Sequence, residues 1–257
     1  MDRLSDLFGT EHPVALVTGS GAPRVGNVIV RAFAARGYRC VMHANRNLAA
    51  AEETARQLTA SGRECIALQA ELTDDDQLRR LIDNAWLQWG RLDILVNAAA
   101  IWERKSLEEL APDDVRRHFE VNTLAVFEAS RYAGLKMVAQ PKGGAIVNLG
   151  DWATERPYLD YAAYFPSKGA VPALTRSLAV ELAARNPRIR VNAVLPGPVM
   201  LPESLSEAER QSAIAGTLVK REGSPWNVAD AVVFLAENDF VTGVCLPVDG
   251  GRTIKGP

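Results

Sequence analysis

Short apolar runs alternate along the chain with longer stretches whose apolar residues recur at helical spacing. The runs predict strands at Val14–Val17, Arg39–His43, Glu64–Gln69, Leu92–Val96, Ala145–Leu149, Arg190–Leu195 and Val244–Val248. The intervening stretches predict helices at Val25–Arg36, Leu48–Ala60, Asp74–Trp89, Pro112–Ala139 and Tyr161–Ala184, with shorter ones after Ser206 and Pro225. Strand and helix therefore alternate throughout the chain.

Uninterrupted apolar strands such as Ile94-Leu95-Val96 are typical of a parallel sheet that is covered on both faces. Right-handed β-α-β connections then give an α/β fold, a doubly wound Rossmann-type domain of about seven parallel strands with helices on both faces. No linker, repeat or low-complexity tract divides the 257 residues. We predict one domain over residues 1–257, with residues 1–12 as a polar tail before the first strand.

The composition narrows the class of partner. A net charge of −2 gives no reason to expect binding to nucleic acid or to an anionic membrane. No apolar run approaches the ~20 residues that span a bilayer, and the polar N-terminus does not resemble a signal peptide. The three cysteines and three histidines lack the spacing of a disulfide framework or a metal site. We expect a cytoplasmic protein with reduced thiols, no bound metal and a small-molecule substrate.

A glycine-rich turn follows the first predicted strand. The segment from Thr18 to Val25 leads directly into a helix, and it carries the glycines Gly19 and Gly21, with Gly26 just beyond. Glycines at such a turn let the backbone approach a pyrophosphate, which the N–H groups of the next helix stabilise. The spacing is a variant of G-x-G-x-x-G, and it predicts dinucleotide binding.

The end of the second predicted strand indicates which dinucleotide. Enzymes of this architecture that use NAD place an acid there for the ribose 2′-hydroxyl. This chain instead reads His43-Ala44-Asn45-Arg46-Asn47. Arg46, with Arg24 across the turn, is suited to pair with a 2′-phosphate, so the sequence favours NADP(H) over NAD. The alternative is that both arginines are solvated surface charges.

Tyr164 and Lys168 lie one helical turn apart on one face of a predicted helix. A phenol has a pKa of about 10, and a nearby cation favours the phenolate. We therefore predict that Lys168 lowers the pKa of Tyr164 and so makes it a general acid at neutral pH.

In these motifs the chain resembles the short-chain dehydrogenase/reductase family over nearly its whole length. The matching segments are Thr18-Gly19 with Gly26, Leu95-Val96-Asn97-Ala98, Val121-Asn122, Ile146-Val147-Asn148, Tyr164 to Lys168, Pro196-Gly197 and Val248-Asp249-Gly250-Gly251. The resemblance implies that Tyr164 is the acid/base, that Lys168 holds the nicotinamide ribose, and that Asn122 anchors a proton-relay water. It also places Glu71, Asn97, Pro196 and Gly197 at the cofactor, and it implies a homotetramer with contacts through the last strand.

Asp151 distinguishes the chain from most of that family, which has serine thirteen residues before the tyrosine. An ionised aspartate there would repel the oxyanion that forms in ketone reduction, but it suits a C=N bond whose nitrogen needs a proton. The same substitution occurs in pteridine reductases, which the chain also resembles in Arg24-Val25-Gly26 and in His43 to Arg46. That resemblance implies NADPH-dependent reduction of a pterin stacked on Trp102.

Some interpretations stay open at this stage. A neutral Asp151 would permit a carbonyl reductase, for example one acting on 3-oxoacyl thioesters, and a non-catalytic NADP-binding scaffold is a third hypothesis. Trp102 is either a stacking residue or a core or interface aromatic. Residues 198–222 are predicted to form a substrate lid, in which Met200 and Leu201 either pack on a flat ring or belong to the core of the lid. Pro166 fits the first helical turn, whereas the sequence offers no account of Pro172.

Overall fold

The computed structural model describes residues 3–203 and 205–256. These residues form a seven-stranded parallel sheet with the strand order β3-β2-β1-β4-β5-β6-β7. The strands are β1 Val14–Val17, β2 Arg39–Ala44, β3 Cys65–Gln69, β4 Ile94–Asn97, β5 Gly144–Leu149, β6 Ile189–Pro196 and β7 Cys245–Val248. The prediction of a single doubly wound sheet is confirmed, and the predicted strands match to within two residues at each end.

Helices cover both faces of the sheet. They are α1 Arg3–Phe8, α2 Val25–Ala35, α3 Leu48–Ala60, α4 Asp75–Trp89, α5 Pro112–Phe119, α6 Ala125–Val138, α7 Tyr164–Ala183, α8 Glu207–Ala215 and α9 Pro225–Glu237. Helices α1, α2, α3 and α9 bury apolar side chains against one face, and α4, α6 and α7 bury theirs against the other. Both faces of the strands are therefore dry, as their unbroken apolar sequences require.

The N-terminal segment is more ordered than the predicted polar tail. Within residues 3–12 the chain forms α1, whose Leu4 and Phe8 are buried, and the Phe8 ring meets Tyr38 edge-on at a centroid distance of 6.0 Å. The prediction of a tail is wrong here because two apolar residues four apart suffice to dock a short helix onto an existing core. Met1 and Asp2 lie outside the described residues.

The long helix predicted over Pro112–Ala139 is interrupted. A π-helical turn at Glu120–Leu124 separates α5 from α6. Such turns insert one residue into an α-helix and are frequent at functional sites.

The predicted helix Tyr161–Ala184 starts three residues later, at Tyr164. Pro166 lies in its first turn, where no N–H is needed, as predicted. Pro172 lies inside the helix, which continues past it to Ala183 although Pro172 has no N–H to donate.

Candidate active site

A cleft of about 1670 Å³ opens at the carboxyl ends of the strands. Most of the residues predicted at a site line it: Gly19, Arg24, Gly26, His43, Asn45, Arg46, Glu71, Trp102, Asp151, Tyr164, Lys168, Pro196, Gly197, Met200 and Leu201. Four others, Gly21, Asn47, Asn97 and Asn122, are not among the residues that line it within the described chain. Ligands of open α/β sheets bind at this edge.

The turn after β1 fits an anion. Gly19 has a φ of +65°, and a Cβ there would lie 2.6 Å from Ala99 Cα, so no other residue fits. Helix α2 begins at Val25, and the side chain of Arg24 makes no capping hydrogen bond to its first N–H groups. An uncapped helix N-terminus beneath a glycine turn is a site for a pyrophosphate.

The His43 side chain is hydrogen-bonded to the glycine turn after β1. Its Nδ1 accepts a hydrogen bond from Gly19 N–H at 3.0 Å, and its Nε2 lies 3.0 Å from Ala70 O. This pairing requires a neutral ring with its proton on Nε2. Burial lowers the pKa of His43, which favours the same neutral form. The side chain thus holds the phosphate loop in place, and both of its ring nitrogens are already engaged.

The two arginines predicted to bind a 2′-phosphate remain available. Arg24 and Arg46 are exposed at the rim of the cleft, and no carboxylate in residues 3–203 and 205–256 lies within 4.0 Å of either one. Asn45 donates to Glu71 at 3.0 Å, while Asn47 caps α3 by accepting from Ala50 N–H. Asn47 therefore has a structural role that the sequence analysis did not predict.

Glu71 lines the cleft and is held ionised there. Burial raises its pKa, but hydrogen bonds from Thr73 and Asn45, together with the charge of Arg46, outweigh burial and leave the pKa lowered. Its carboxylate oxygens are 3.1 Å from Thr73 Oγ1 and 3.0 Å from Asn45 Nδ2.

Tyr164 and Asp151 are joined by a hydrogen bond in the cleft. Tyr164 O–H donates to Asp151 Oδ2 at 2.7 Å, and Ala153 N–H donates to the other carboxylate oxygen at 2.8 Å. Burial raises the pKa of Asp151, although these hydrogen bonds and Lys168 oppose the rise. Burial and the charge of Asp151 raise the pKa of Tyr164 well above its ordinary value. The pair therefore retains protons that isolated groups would release.

Lys168 does not bring the pKa of Tyr164 below its ordinary value. Its ammonium is fully buried and donates to Leu149 O at 2.7 Å, and burial lowers its pKa to about 8. The prediction of a lowered pKa for Tyr164 is wrong for this structure, because burial and Asp151 shift that pKa upward. What Lys168 contributes is a buried cation beside Asp151.

Asn97 and Asn122 are hydrogen-bonded to neighbouring elements near the cleft. In the π-helical turn, Asn122 donates to Ile101 O and to Ser167 Oγ, each at 3.0 Å, and accepts from Ile101 N–H. The Asn122 side chain thus joins the loop after β4 to helix α7. Asn97 donates to Ser130 and Asn148 beneath the cleft. The predicted proton-relay water at Asn122 and cofactor contact at Asn97 stay predictions.

Trp102 belongs to a cluster of aromatic rings, and its contacts there differ from the predicted ones. Trp102 is stacked on Tyr161 with centroids 4.8 Å apart and planes at 12°, so one indole face is already covered. Tyr158 packs edge-on against both Tyr161 and Phe165. The sequence analysis missed Tyr158 and Tyr161, although tyrosines at positions 158, 161 and 164 recur every three residues before the catalytic helix.

The loop of Trp102 is tied to that of Tyr161. Arg104 Nη2 lies 2.8 Å from Asp160 Oδ2, and Lys105 N–H donates to Asp160 O. Asp160 has a φ of +70°, which is unusual for any residue except glycine. The contacts of Asp160 with Arg104 and Lys105 thus help to hold the Trp102 ring against the Tyr161 ring.

The predicted lid over residues 198–222 contains α8 and borders the cleft. Arg210 is paired with Glu222 at 2.8 Å, and the same carboxylate accepts from Leu201 N–H. Met200 and Leu201 line the cleft, and Met200 is half exposed. Ser204, within this segment, lies outside the described residues.

The described residues contain neither a metal-binding cluster nor a membrane-spanning helix. No described group of histidine, cysteine and acidic residues is arranged to hold a metal ion. Among the helices that the structure describes, none is both long and apolar enough to cross a membrane.

Comparison with known proteins identifies the family. A family model described as enoyl-(acyl carrier protein) reductase matches residues 22–253. The chain belongs to the short-chain dehydrogenase/reductase family. Within that family it is an NAD(P)-dependent oxidoreductase, and the seven-stranded sheet with its cleft is the expected scaffold.

Three relatives show the range of this family. Galactitol 2-dehydrogenase (L-tagatose-forming) from Cereibacter sphaeroides is 38% identical, covering 96% of this chain and 98% of that protein. Pteridine reductase 1 from Leishmania tarentolae is 33% identical, covering 94% and 96%. A crystal structure of a blue fluorescent protein from a metagenomic library in complex with NADPH has a TM-score of 0.85 and 34% identity, covering 93% and 97%. The predicted NADP(H) cofactor agrees with the NADPH in that structure.

Proposed function

We propose that this short-chain dehydrogenase/reductase reduces a C=N bond of a dihydropterin or dihydrofolate-like ring with NADPH. The observation that carries the proposal is the 2.7 Å hydrogen bond from the buried Tyr164 hydroxyl to Oδ2 of the partly buried Asp151. NADPH supplies a hydride for the ring carbon when it is bound. The chain must then supply one proton to the ring nitrogen.

The residues around the reacting nitrogen suit that task. Burial keeps Asp151 disposed to hold a proton, and Tyr164 is positioned to pass its own proton on and to be reprotonated from Asp151. The C=N bond gains one hydride and one proton, so the product is a C–N–H group. The buried ammonium of Lys168 stabilises the carboxylate that this leaves on Asp151.

The cofactor half of the proposal rests on Arg24 and Arg46. Both guanidinium groups lie at the rim of the cleft without a carboxylate partner among the described residues, and no acid stands at the end of β2. A 2′-phosphate would supply the missing counter-ion through charge-assisted hydrogen bonds. The uncapped N-terminus of α2 would hold the pyrophosphate.

A carbonyl reductase is the second candidate, and one specific observation favours it. Because burial raises the pKa of Asp151, a neutral carboxyl group could donate to a substrate carbonyl in place of the family's serine. Relatives such as galactitol 2-dehydrogenase carry out carbonyl chemistry by name.

One assay separates these candidates. NADPH oxidation is measured in parallel with dihydrobiopterin, dihydrofolate and an acetoacetyl thioester. Turnover of the pterins but not of the thioester supports the proposal, and the reverse result supports a carbonyl reductase. NADPH binding without turnover of any of them would support a non-catalytic scaffold.

We expect Arg46→Gln to weaken NADPH binding by about 10- to 100-fold and to leave NADH binding unchanged, because the lost contact is a charge-assisted pair with the 2′-phosphate. Fluorescence titration with both cofactors measures this. Arg63→Gln, which removes an exposed arginine outside the cleft, is the matched control. Equal weakening for NADPH and NADH would contradict the assignment.

Activity is expected to fall as the pH rises above about 8, because the folded-state pKa of Lys168 is lowered to about 8 and its ammonium then loses its proton. Stability moves the other way: between about 8 and 10.5 the unfolded chain binds the proton more tightly, so the free energy of unfolding rises with pH. The pH profile of kcat tests the first point. Lys168→Arg should shift the decline upward, since arginine stays protonated; an unshifted decline would exclude Lys168 as its cause.

We also propose a homotetramer. Large apolar side chains are exposed near β7 and on the α5–α6 face, among them Phe240, Phe127 and Leu124. Exposed apolar patches of this kind mark interaction surfaces. Light scattering coupled to size-exclusion chromatography tests the assembly, and a monomer at micromolar concentration would contradict it.

A further inference from the structure

Arg252 is a cation inside the cleft that the proposed reaction does not use. It follows β7 directly after the Gly250-Gly251 turn and lines the cleft. Its guanidinium carbon lies 4.6 Å from the centre of the Trp152 ring, and the group also donates to Ala213 O in α8. Stacking and hydrogen bonding thus hold the guanidinium in one place.

The charge of Arg252 is not balanced by a paired acid. No carboxylate of residues 3–203 and 205–256 lies within 4.0 Å of it. The closest acid in sequence, Asp249, accepts instead from Gly251 N–H and Thr253 N–H. Arg252 is partly buried, and this burial lowers its pKa. An anion bound here would stabilise the partly buried cation.

Further cations surround Arg252. Arg156 donates to Arg252 O at 3.3 Å and also to Lys255 O. Lys220 and Lys255 both donate to Ala215 O at the end of α8. Burial and the neighbouring charges of Lys220, Arg252 and Arg156 lower the pKa of Lys255. Of these cations only Arg252 lines the cleft, and the others add positive charge behind it, which favours an anionic ligand over a cationic one.

The position of this cluster separates it from the cofactor. Arg46 follows β2 and Arg252 follows β7, five strand spacings apart in the sheet, or about 24 Å. Asp151 follows β5, between them, and Trp152 is its chain neighbour. The Arg252 guanidinium lies 4.6 Å from the Trp152 ring, and both residues line the same cleft as Asp151, so the cation lies near Asp151. Arg252 therefore faces the substrate rather than the 2′-phosphate.

We propose that Arg252 binds a carboxylate of the substrate, so that the preferred substrate carries an acidic tail on the ring that is reduced. This inference rests on the proposed pterin reduction. A guanidinium held over the Trp152 ring is suited to bind a carboxylate, which arginine favours in bidentate geometry.

Dihydrofolate and dihydrobiopterin form a matched pair of probes, because they share the pterin ring and only dihydrofolate carries glutamate carboxylates. In Arg252→Gln, KM for dihydrofolate is expected to rise about 10- to 100-fold, the loss of one charge-assisted contact, and KM for dihydrobiopterin to change less than about 3-fold. Raising the salt concentration should likewise raise KM for dihydrofolate in the unmodified enzyme and not in the variant.

Controls separate recognition from folding. Arg221→Gln removes an exposed cation one residue from Lys220 and is expected to leave both KM values unchanged. Arg252→Lys keeps the charge but not the planar fork, and should give an intermediate KM for dihydrofolate. Melting temperatures of all variants show whether each one folds.

Two results would overturn the inference. An equal rise in KM for both pterins in Arg252→Gln would mean that Arg252 serves only to connect Ala213 in α8 with the Trp152 ring. If the unmodified enzyme reduces neither pterin, the proposed function fails, and binding then decides the subsite: folate and biopterin are titrated into the NADP⁺-loaded protein by tryptophan fluorescence. Tighter binding of folate that disappears in Arg252→Gln supports the subsite, whereas equal affinities refute it.

Discussion

Replacing Tyr164 with phenylalanine is expected to lower kcat for pterin reduction by about 10²- to 10⁴-fold, the range that general acid catalysis contributes. The phenyl ring keeps its packing against Phe165 and Tyr161, but the hydroxyl that donates to Asp151 at 2.7 Å is lost. Without it, a proton on Asp151 has no positioned carrier to the ring nitrogen. Stopped-flow measurement of NADPH oxidation at saturating pterin gives the effect.

The matched control for this variant is Tyr132→Phe. The Tyr132 hydroxyl accepts from Arg79 and donates to Asp75 on the surface, outside the residues that line the cleft. Its loss is expected to leave kcat unchanged and NADPH affinity unaltered in both variants. A Tyr164→Phe enzyme that retains more than about a tenth of the activity would remove Tyr164 from the proton path, since the smallest contribution expected of a general acid is about 10²-fold.

Replacing Asp151 with asparagine is expected to reduce pterin turnover by about 10²- to 10³-fold, with little change in the NADPH dissociation constant. An amide preserves the shape of the carboxyl group and still accepts from Tyr164, but it cannot release a proton. Loss of the negative charge also removes one cause of the raised pKa of Tyr164. Steady-state kinetics and a fluorescence titration with NADPH measure the two quantities separately.

Asp151→Ser adds a second arm to this experiment, because serine is the usual residue of the wider family. It is expected to lose pterin reduction while gaining activity toward an acetoacetyl thioester, since a hydroxyl donates to a forming alkoxide. Glu155→Gln, an exposed neighbour four residues on, is the control. Equal pterin turnover in the serine variant and the unmodified enzyme would refute the role given to Asp151.

The sequence predicts the architecture because parallel strands that are buried on both faces appear as uninterrupted apolar runs. Strands such as Val14–Val17 were predicted to the residue. Helix α1 was missed because its two buried residues, Leu4 and Phe8, make too short a pattern for helical spacing to register. The π-helical turn was also invisible, since an extra residue inside a helix leaves no mark on composition.

At the site, residue types were easier to predict than their electrostatics. The resemblance to the family placed Asp151 and Tyr164 at one site, and in the structure the Tyr164 hydroxyl lies 2.7 Å from Asp151 Oδ2. The direction of the Tyr164 pKa was wrong because the sequence shows a neighbouring lysine but not how deeply the phenol is buried. The stacking of Trp102 on Tyr161 was missed for a similar reason: the Asp160 turn that brings the rings together depends on contacts distant in sequence.

The π-helical turn at Glu120–Leu124 also constrains how this gene can change. One additional residue rotates everything that follows by about 100° around the helix axis. Asn122 lies within this turn, and from there its side chain donates to Ser167 Oγ on α7. A deletion of one codon here would restore an ordinary helix and turn the asparagine away from its partner. Length, and not only residue type, is therefore under constraint in this segment.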